Sequence, residues 1–336
     1  MSSDGRYRLV RTIASGGMAQ VYEAVLVGAR GFERRVAIKR VLPQHSHDPA
    51  MRRMFFDEAQ LASRMHHGNI VQILDYGVVD ECEFIAMEYV DGVDSNRAMR
   101  AGLAAGSPLP EGIALHIISQ VADALHYAHT LRADDDRPAG IIHRDVAPDN
   151  VLLSWQGDVK LSDFGIALAL GERDRRTRSG VIKGKRSFMA PEQALGHRIT
   201  VAADVYALGV TLRALLASDT RPPGPVPVPD MCGASAAVVG LIDACTQHDP
   251  QARPAAEDIA ERAGELVAAT LGRDGRGALR EWLEPLQPRL SRRSPFDEAF
   301  ALALVPLGGR AFTVSRAADA AVAGGWRPIR GQRDLG

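Results

Sequence analysis

Two short segments in the middle of the chain carry the side chains with the clearest chemical potential. In IIHRDVAPDNVLL (residues 141–153), a His-Arg-Asp triplet ending at Asp145 lies between apolar runs, and Asn150 follows. In KLSDFGIA (160–167), Asp163 comes after another short apolar run. A carboxylate base and hard oxygen ligands are what magnesium-dependent phosphoryl transfer needs. Either segment alone could be a satisfied turn, but both, in this order and spacing, favour a catalytic site.

A strand-like run and a helical stretch near the N-terminus supply a cation and a carboxylate. In RRVAIKRV (34–41), alternation turns Ala37 and Lys39 to one face and the two branched apolar residues to the other. Glu58 falls within an apolar helical stripe made up of Met51, Met54, Phe55, Ala62 and Met65. A core-facing carboxylate needs a cationic partner, and Lys39 is the candidate. The alternatives are that Lys39 is a solvated edge charge and that Glu58 lies at the solvated margin of the stripe.

A glycine pair between two strand-like runs could bind an anion. The segment IASGGMAQVYEA (13–24) contains Gly16 and Gly17, whose backbone N–H groups could close over a phosphate. An isolated glycine pair between strands is more often a hairpin turn. The pair therefore indicates phosphate binding only together with the strand that carries Lys39.

These residues require elements of two kinds to position them. Residues 7–92 show short strand-like segments with one helical stretch near 50–65, whereas residues 93–267 show mainly helical periodicity, which predicts an α+β protein. Residues 268–336 have weak, glycine-broken periodicity and are predicted to be an extension with one helix, Leu279 to Leu290. Helices are also predicted for residues 113–130, 237–245 and 256–271, and the Pro- and Gly-rich residues 218–230 are predicted to be a loop.

Composition excludes several classes of function. The 40 basic and 41 acidic side chains nearly cancel, so no overall field favours nucleic acid or an anionic membrane. Three scattered cysteines are too few for a disulfide framework or a metal-ligand spacing. No apolar run is long enough to span a bilayer, and the N-terminus lacks a signal-type apolar region, so we expect a cytoplasmic protein.

The ordered set of motifs makes the chain resemble the eukaryotic-type (Hanks-type) protein kinases, and more narrowly their bacterial Ser/Thr branch, over residues 7–267. The set comprises the glycine loop, VAIK, the helical Glu, HRD with Asn, DFG, APE (190–192), DVYALG (204–209) and DPQARP (249–254). The resemblance implies a bilobal fold with ATP in the cleft between a small β-rich lobe containing one key helix and a larger helical lobe.

The resemblance also implies a role for each matching residue. Lys39 would contact the α- and β-phosphates of ATP while Glu58 fixes its side chain, Asp163 and Asn150 would hold Mg²⁺, and Asp145 would be the catalytic base. Glu192 would pair with Arg253, and Asp204 would brace the catalytic loop. The remaining nucleotide contacts would come from Ile13, Ala14, Ser15, Gly16 and Gly17 around the phosphates, Val21, Ala37 and Leu152 around the adenine, Met87 behind it, and the backbone of Glu88 and Val90.

Three departures from the family pattern concern the phosphates. Ala14 and Ala19 replace two family glycines, which stiffens the loop. Ala147 occupies the position of a lysine that neutralises the transferring phosphoryl group, and Asp149 excludes the arginine of many tyrosine kinases. Lys185 replaces a threonine that normally lies beside the missing lysine, so we hypothesise that Lys185 supplies the lost charge. The alternative is an ordinary solvated loop lysine.

The segment between DFG and APE is basic. Between residues 172 and 186 it has seven basic and two acidic side chains, a charge that phosphorylation of Thr177 or Ser179 would offset. Arg144 is the expected phosphate reader, and autophosphorylation at one of the two sites is the prediction. The basic run also favours acidic protein substrates.

The functional prediction is a protein kinase that uses Mg-ATP and phosphorylates Ser/Thr side chains of proteins. Two rivals stay open. One is a pseudokinase that binds nucleotide without catalysis, suggested by Ala14 and Ala147; the other is a small-molecule phosphotransferase, which the APE motif and the basic segment disfavour.

Overall fold

The computed structural model describes residues 6–132, 140–164, 185–217, 233–291 and 306–307, which form two compact units. Within those ranges, the first unit comprises residues 6–63, 72–89 and 306–307, and the second comprises residues 64–71 and 90–291. The first unit is β-rich and the second mainly helical, so the α+β class predicted from the sequence is confirmed.

In its described residues, the first unit consists of an antiparallel sheet and one α-helix. The strands are β1 (Tyr7–Ser15), β2 (Ala19–Val27), β3 (Glu33–Val41), β4 (Ile73–Val79), β5 (Cys82–Glu88) and β9 (Pro306–Leu307), in the order β4-β5-β3-β2-β1-β9. The helix α1 (Pro49–Ala62) begins where the Asp48 side chain accepts the N–H of Ala50 and Pro49 occupies the first turn.

Strand alternation gives the sheet two apolar faces. Val36 and Ile38 are fully buried in a cluster with Phe84 on one face. Val41 and Ile85 pack against Phe55 of α1 on the other face. The face carrying Lys39 is thus the one that packs against α1, as the period of two in β3 predicts.

The second unit is built around a long apolar helix. The helices are α2 (Ser95–Ala104), α3 (Glu111–Thr130), α4 (Pro191–Ala194), α5 (Ala202–Leu216), α6 (Ala236–Cys245), α7 (Ala256–Leu271), α8 (Gly275–Leu283) and α9 (Gln287–Leu290). A small antiparallel sheet contains β6 (Gly92–Asp94), β7 (Val151–Ser154) and β8 (Val159–Leu161). Eleven residues of α3 are buried, which makes this helix the centre of the unit.

The extension differs from its predicted form. The single helix expected at 279–290 is two helices, α8 and α9, whereas the helix predicted at 256–271 is confirmed as α7. The helix α8 begins earlier because the Asp274 side chain accepts the N–H groups of Arg276 and Gly277, which offsets the low helix propensity of its glycines. Leu279 and Leu283 are fully buried, so α8 is part of the second unit's core.

The division of the sequence at residues 92 and 267 stays a prediction for the lobes of the family. The compact units differ from it at four places: residues 64–71, 90–92 and 268–291 belong to the second unit, and strand β9 belongs to the first. The loop predicted at 218–230 lies outside the described residues. No helix within the described ranges is long and apolar enough to cross a membrane.

Candidate functional site

Lys39 and Glu58 form an ion pair in the first unit. The Lys39 Nζ lies 2.5 Å from Glu58 Oε1, and both side chains are largely buried. The ammonium group also lies 6.0 Å from the centre of the Phe55 ring. The pairing predicted from the apolar stripe is confirmed, because a carboxylate in that stripe is buried and requires a cation.

The same face of the sheet carries three of the residues predicted to surround adenine. Val21 is opposite Lys39 in the β2–β3 ladder, and Ala37 is opposite Met87 in the β3–β5 ladder. The N–H of Glu88 donates to the carbonyl oxygen of Gln72 at 2.8 Å, so this donor is used within the unit. Val90 and Leu152 lie in the second unit, both half-buried.

The glycine turn between β1 and β2 is exposed. Ile13, Ala14, Ser15, Gly16 and Gly17 are all exposed, and the N–H of Gly16 donates to the carbonyl oxygen of Ala19 at 2.9 Å. Neither glycine has a left-handed backbone, and a Cβ at Gly17 would meet nothing within 4 Å. The fold itself therefore does not require glycine at position 17.

A contact that sequence reasoning missed holds this turn. The Nε2 of His45 lies 3.1 Å from the carbonyl oxygen of Gly17. His45 is in a short 3-10 helix, Pro43–His45, after β3. No motif links the two residues, so the sequence offered no signal for the contact.

In the second unit, the segment predicted to be the catalytic loop, residues 141–153, is anchored by one buried carboxylate. Asp204 of α5 is fully buried and accepts the backbone N–H groups of His143 at 2.8 Å and Arg144 at 2.7 Å. It also lies 2.8 Å from Nε2 of His129 on α3. Arg144 has a φ of 68°, a left-handed conformation that is costly for arginine and that these bonds stabilise. The bracing role predicted for Asp204 is confirmed, whereas the contribution of His129 was missed.

The His143 ring contacts both of the segments predicted to be catalytic, residues 141–153 and 160–167, at Asp145 and Ser162. Burial lowers the pKa of His143, so the ring is neutral at pH 7 despite nearby carboxylates. Its Nδ1 accepts the N–H of Asp145 at 3.2 Å, and its Nε2 lies 3.0 Å from the carbonyl oxygen of Ser162. A neutral ring with the proton on Nε2 satisfies both contacts. The ring also packs against Phe164, with centroids 4.5 Å apart.

Asn150 connects the predicted base to the predicted metal ligand. Its Nδ2 donates to the backbone oxygen of Asp145 at 2.7 Å and to Asp145 Oδ2 at 3.0 Å. The N–H of Ser162, the residue before Asp163, donates to the Asn150 carbonyl oxygen at 2.9 Å. Asp163 is exposed, with a φ of 55°. The Ser162 Oγ lies 3.5 Å from Asp163 Oδ2, so Ser162 links Asp163 to the hydrogen-bonded pair of Asp145 and Asn150.

The oxygen atoms of this network suit magnesium. Because the amide nitrogen of Asn150 is committed to Asp145, its amide oxygen is the atom it can offer to a metal. Across the part of the chain that the structure describes, no group of three or more His, Cys, Asp or Glu could hold a metal ion. Mg²⁺ usually takes one or two protein oxygens and completes its shell with phosphates and waters, so Asn150 and Asp163 are a fitting donor set.

Position 147, where the family has a lysine, is buried, and an acidic residue follows two positions later. Ala147 is fully buried, and the neighbouring Pro148 carbonyl oxygen accepts Ser95 Oγ at 2.8 Å. Asp149 is exposed and accepts Asn96 Nδ2 at 2.7 Å. The backbone of Lys185 begins a 3-10 helix, Lys185–Phe188, but its side chain, like Thr177 and Ser179, lies outside the described residues.

A buried ion pair supports the loop from the other side. Arg253 donates to Glu192 through both terminal nitrogens, at 2.7 and 2.9 Å, as predicted. Burial raises the pKa of Glu192, but the hydrogen bonds from Arg253 outweigh it, and the pKa lies below its ordinary value. The adjacent Gln193 donates to the carbonyl oxygen of Arg144 at 2.9 Å, a link that sequence reasoning missed.

Comparisons with known proteins agree with this geometry. The protein kinase domain profile matches residues 7–225. Over 208 residues, the chain is 45% identical to tyrosine-protein kinase MasK of Myxococcus xanthus, a match covering 62% of this chain and 32% of MasK. It is 38% identical over 214 residues to serine/threonine-protein kinase PrkC of Bacillus subtilis, covering 63% of this chain and 30% of PrkC. The matched stretch thus spans about a third of the length of these relatives.

A solved structure is also similar. The crystal structure of the Mycobacterium tuberculosis PknI kinase domain is matched with a TM-score of 0.59 and 30% sequence identity. The match covers 78% of this chain and 97% of that one. Together with the network around Asp145, these likenesses are the premise for assigning a function.

Proposed function

The chain belongs to the protein kinase domain family, and from this premise we propose that it transfers the γ-phosphoryl group of Mg-ATP to Ser/Thr hydroxyls of protein substrates. The observation that carries the proposal is the hydrogen-bonded network of the catalytic loop. Asp204 holds the loop backbone, and Asn150 holds the Asp145 carboxylate. Such pre-organisation is what phosphoryl transfer asks of a protein, since its catalysis is positioning and electrostatics.

In the proposed reaction, Asp145 orients the acceptor hydroxyl and takes its proton as the oxygen attacks the γ-phosphorus. The new O–P bond forms while the bond to the ADP oxygen breaks, and ADP leaves. Asn150 and Asp163 would hold Mg²⁺, which when bound offsets charge on the phosphates. The Asn150 amide also keeps the Asp145 carboxylate in one orientation.

The first unit supplies most of the groups proposed to bind the nucleotide, and Val90 and Leu152 come from the second unit. Lys39 binds the α- and β-phosphates, and its pairing with Glu58 limits its side-chain freedom. The glycine turn covers the phosphates with backbone N–H groups. The adenine contacts are Val21, Ala37, Met87, Leu152 and the backbone of Glu88 and Val90.

We propose that Lys185 compensates for the missing lysine at position 147. A cation is needed because charge develops on the transferring phosphoryl group, and Ala147 is a buried methyl group that provides none. Lys185→Ala should lower kcat about 10- to 100-fold, and Lys185→Arg should retain much of it because the charge is kept. Near-normal turnover of a folded Lys185→Ala variant would remove this role.

Activation by phosphorylation is the regulatory part of the proposal. We expect autophosphorylation at Thr177 or Ser179, with Arg144 contacting the new phosphate. Peptide mapping by mass spectrometry of the active protein tests this. Active protein with both residues unmodified would contradict it.

The acceptor residue has two candidates. Pro148 and the naming of relatives such as PrkC favour Ser/Thr. The 45% identical relative is named a tyrosine kinase, and Ala147 lacks the lysine usual in Ser/Thr kinases, so tyrosine is the second candidate. Phosphoamino acid analysis of the autophosphorylated chain decides between them.

A transfer assay tests the proposed function against its rivals. Purified chain with γ-labelled ATP and Mg²⁺ should label itself or a generic protein acceptor, whereas Asp145→Asn should not. Nucleotide binding without transfer would favour a pseudokinase. ATP consumption that occurs only with a small-molecule acceptor would favour a small-molecule phosphotransferase.

A further inference from the structure

The outer neighbour of β1 comes from the far end of the chain. The strand β9 consists of Pro306 and Leu307 and runs antiparallel to β1, with Leu307 opposite Tyr7 and Pro306 opposite Arg8. It is the last strand at this side of the sheet. The ladder between β1 and β2 shows which backbone groups of β1 are left for this two-residue strand to bond.

The backbone of Tyr7 points away from β2. The N–H of Val27 donates to the carbonyl oxygen of Arg6 at 2.7 Å, so these two residues form a hydrogen-bonded pair. Such pairs alternate with non-hydrogen-bonded ones in an antiparallel ladder, and the next pair is Tyr7 with Leu26. The N–H and carbonyl groups of Tyr7 therefore face the outer edge of the sheet.

Those groups need partners because Tyr7 is buried. The residue is only 2% exposed, its ring packs edge-on against Phe84, and its hydroxyl donates to Asp75 at 2.9 Å. Buried backbone groups without partners cost free energy comparable to a lost hydrogen bond. The N–H and carbonyl groups of Tyr7 therefore need hydrogen-bond partners from another strand that pairs with the start of β1.

The register of β9 meets this requirement. Proline has no N–H, so the pair of Arg8 and Pro306 cannot be the hydrogen-bonded one. Tyr7 and Leu307 must then exchange both backbone bonds. Two independent observations therefore agree that Tyr7 and Leu307 are the hydrogen-bonded pair. One is the Arg6–Val27 hydrogen bond, and the other is the missing N–H of Pro306.

We propose that the edge of β1 at Tyr7 is a strand-addition site whose occupant is the chain's own Pro306–Leu307 segment. The site selects an extended backbone with an N–H opposite Tyr7. Pro306 also blunts the new outer edge, because it cannot donate to a further strand. The C-terminal extension thus closes the edge of the sheet that carries Lys39, and it protects that edge from pairing with another chain.

Hydrogen exchange of the Tyr7 amide tests this in the full-length chain. Leu307→Pro removes the one N–H that β9 donates, so the Tyr7 amide should exchange roughly 5- to 10-fold faster, the effect of losing about one net hydrogen bond. Pro306→Ala is the matched control: its added N–H faces outward, so protection of Tyr7 should not change. The Ile38 amide, in the centre of the sheet, should be unaffected in both variants and reports that the unit stays folded.

Two outcomes would overturn the proposal. The first is unchanged Tyr7 protection in Leu307→Pro. The second is protection that depends on protein concentration and that returns when Leu307→Pro chain is mixed with unaltered chain, because the strand would then come from a second copy.

Discussion

The catalytic loop and the glycine turn are built by opposite means. In the loop, backbone groups of His143 and Arg144 are tied to the buried Asp204, and Asn150 ties down Asp145. The turn is exposed and held by a backbone bond across it and a contact from His45. Chemistry at the γ-phosphate needs fixed groups, whereas a turn that covers a ligand must open and close. The difference predicts that substitutions in the loop's anchors affect kcat and stability, and those in the turn affect KM for ATP.

The largest effect is expected at Asp204. Asp204→Asn places an amide N–H₂ against backbone N–H groups of a buried loop, so kcat should fall about 100-fold or more and stability by about 3–5 kcal/mol. Activity assays and thermal unfolding measure both. The control is Thr211→Val on the same helix. Among the described residues the buried Thr211 hydroxyl has no hydrogen-bond partner, so its loss should cost little. Equal losses of kcat and stability in both variants would show that any change in this helix has the effect and that the Asp204 carboxylate has no special role.

The second prediction concerns the support of the loop by Glu192. Because the pKa of Glu192 in the folded protein lies below its ordinary value of 4.5, its contribution to stability is present above that value. The contribution is lost as the pH falls through 4.5 toward the lowered pKa. Glu192→Gln should destabilise the chain by about 3 kcal/mol at pH 7, since it leaves the buried Arg253 cation unpaired.

Unfolding curves recorded between pH 7 and pH 3 distinguish a charge effect from a packing effect, because this range extends below the ordinary pKa of 4.5. The stability difference between the original chain and Glu192→Gln should shrink as the pH falls. A difference that stays constant over this range would mean that the ionised carboxylate does not contribute.

The third prediction tests whether the ion pair with Glu58 holds the Lys39 side chain of the first unit in place. Lys39→Met should lower kcat/KM about 100-fold, because the phosphates lose their cation. Glu58→Gln should lower it about 10-fold, since Lys39 keeps its charge but loses its ionic partner. Asp57→Asn, one residue away on the same helix, is the control and should change little. If Glu58→Gln is as active as the control, the ion pair does not position Lys39.

The smallest effect is expected at the turn. His45→Ala removes the contact to the Gly17 carbonyl oxygen, so KM for ATP should rise about 2- to 3-fold with kcat unchanged. His47→Ala is the matched control, since His47 is exposed and lies away from this contact. A fall in kcat as large as that expected for Glu58→Gln would show that the turn is as fixed as the loop.

Local pattern and motif order were enough to predict the chemical groups. The alternation in β3 and the stripe of α1 predicted the Lys39–Glu58 pair, because both patterns state which side chains face the core. The ordered motifs predicted the residues of the catalytic loop. These signals are local or are shared by a family, so a single sequence displays them.

The contacts that tie the site together could not be predicted. His129 with Asp204, Gln193 with Arg144 and His45 with Gly17 join residues that no periodicity links. The start of helix α8 was missed because Gly275 and Gly277 mask its helical pattern, although its N-cap, Asp274, is a local signal. The strand β9 has two residues, too few for any period, and only the unmet backbone of Tyr7 calls for it.

The most direct test of the account is the single-turnover rate of phosphoryl transfer from saturating Mg-ATP for the original chain and for Asp145→Asn, together with the ATP dissociation constant of each. We predict a rate loss of about 10²- to 10⁴-fold in the variant with ATP affinity unchanged within about twofold, because the carboxylate acts on the acceptor hydroxyl. Equal transfer rates in the two proteins would contradict the role of Asp145. ATP binding without transfer in the original chain would contradict the kinase function itself.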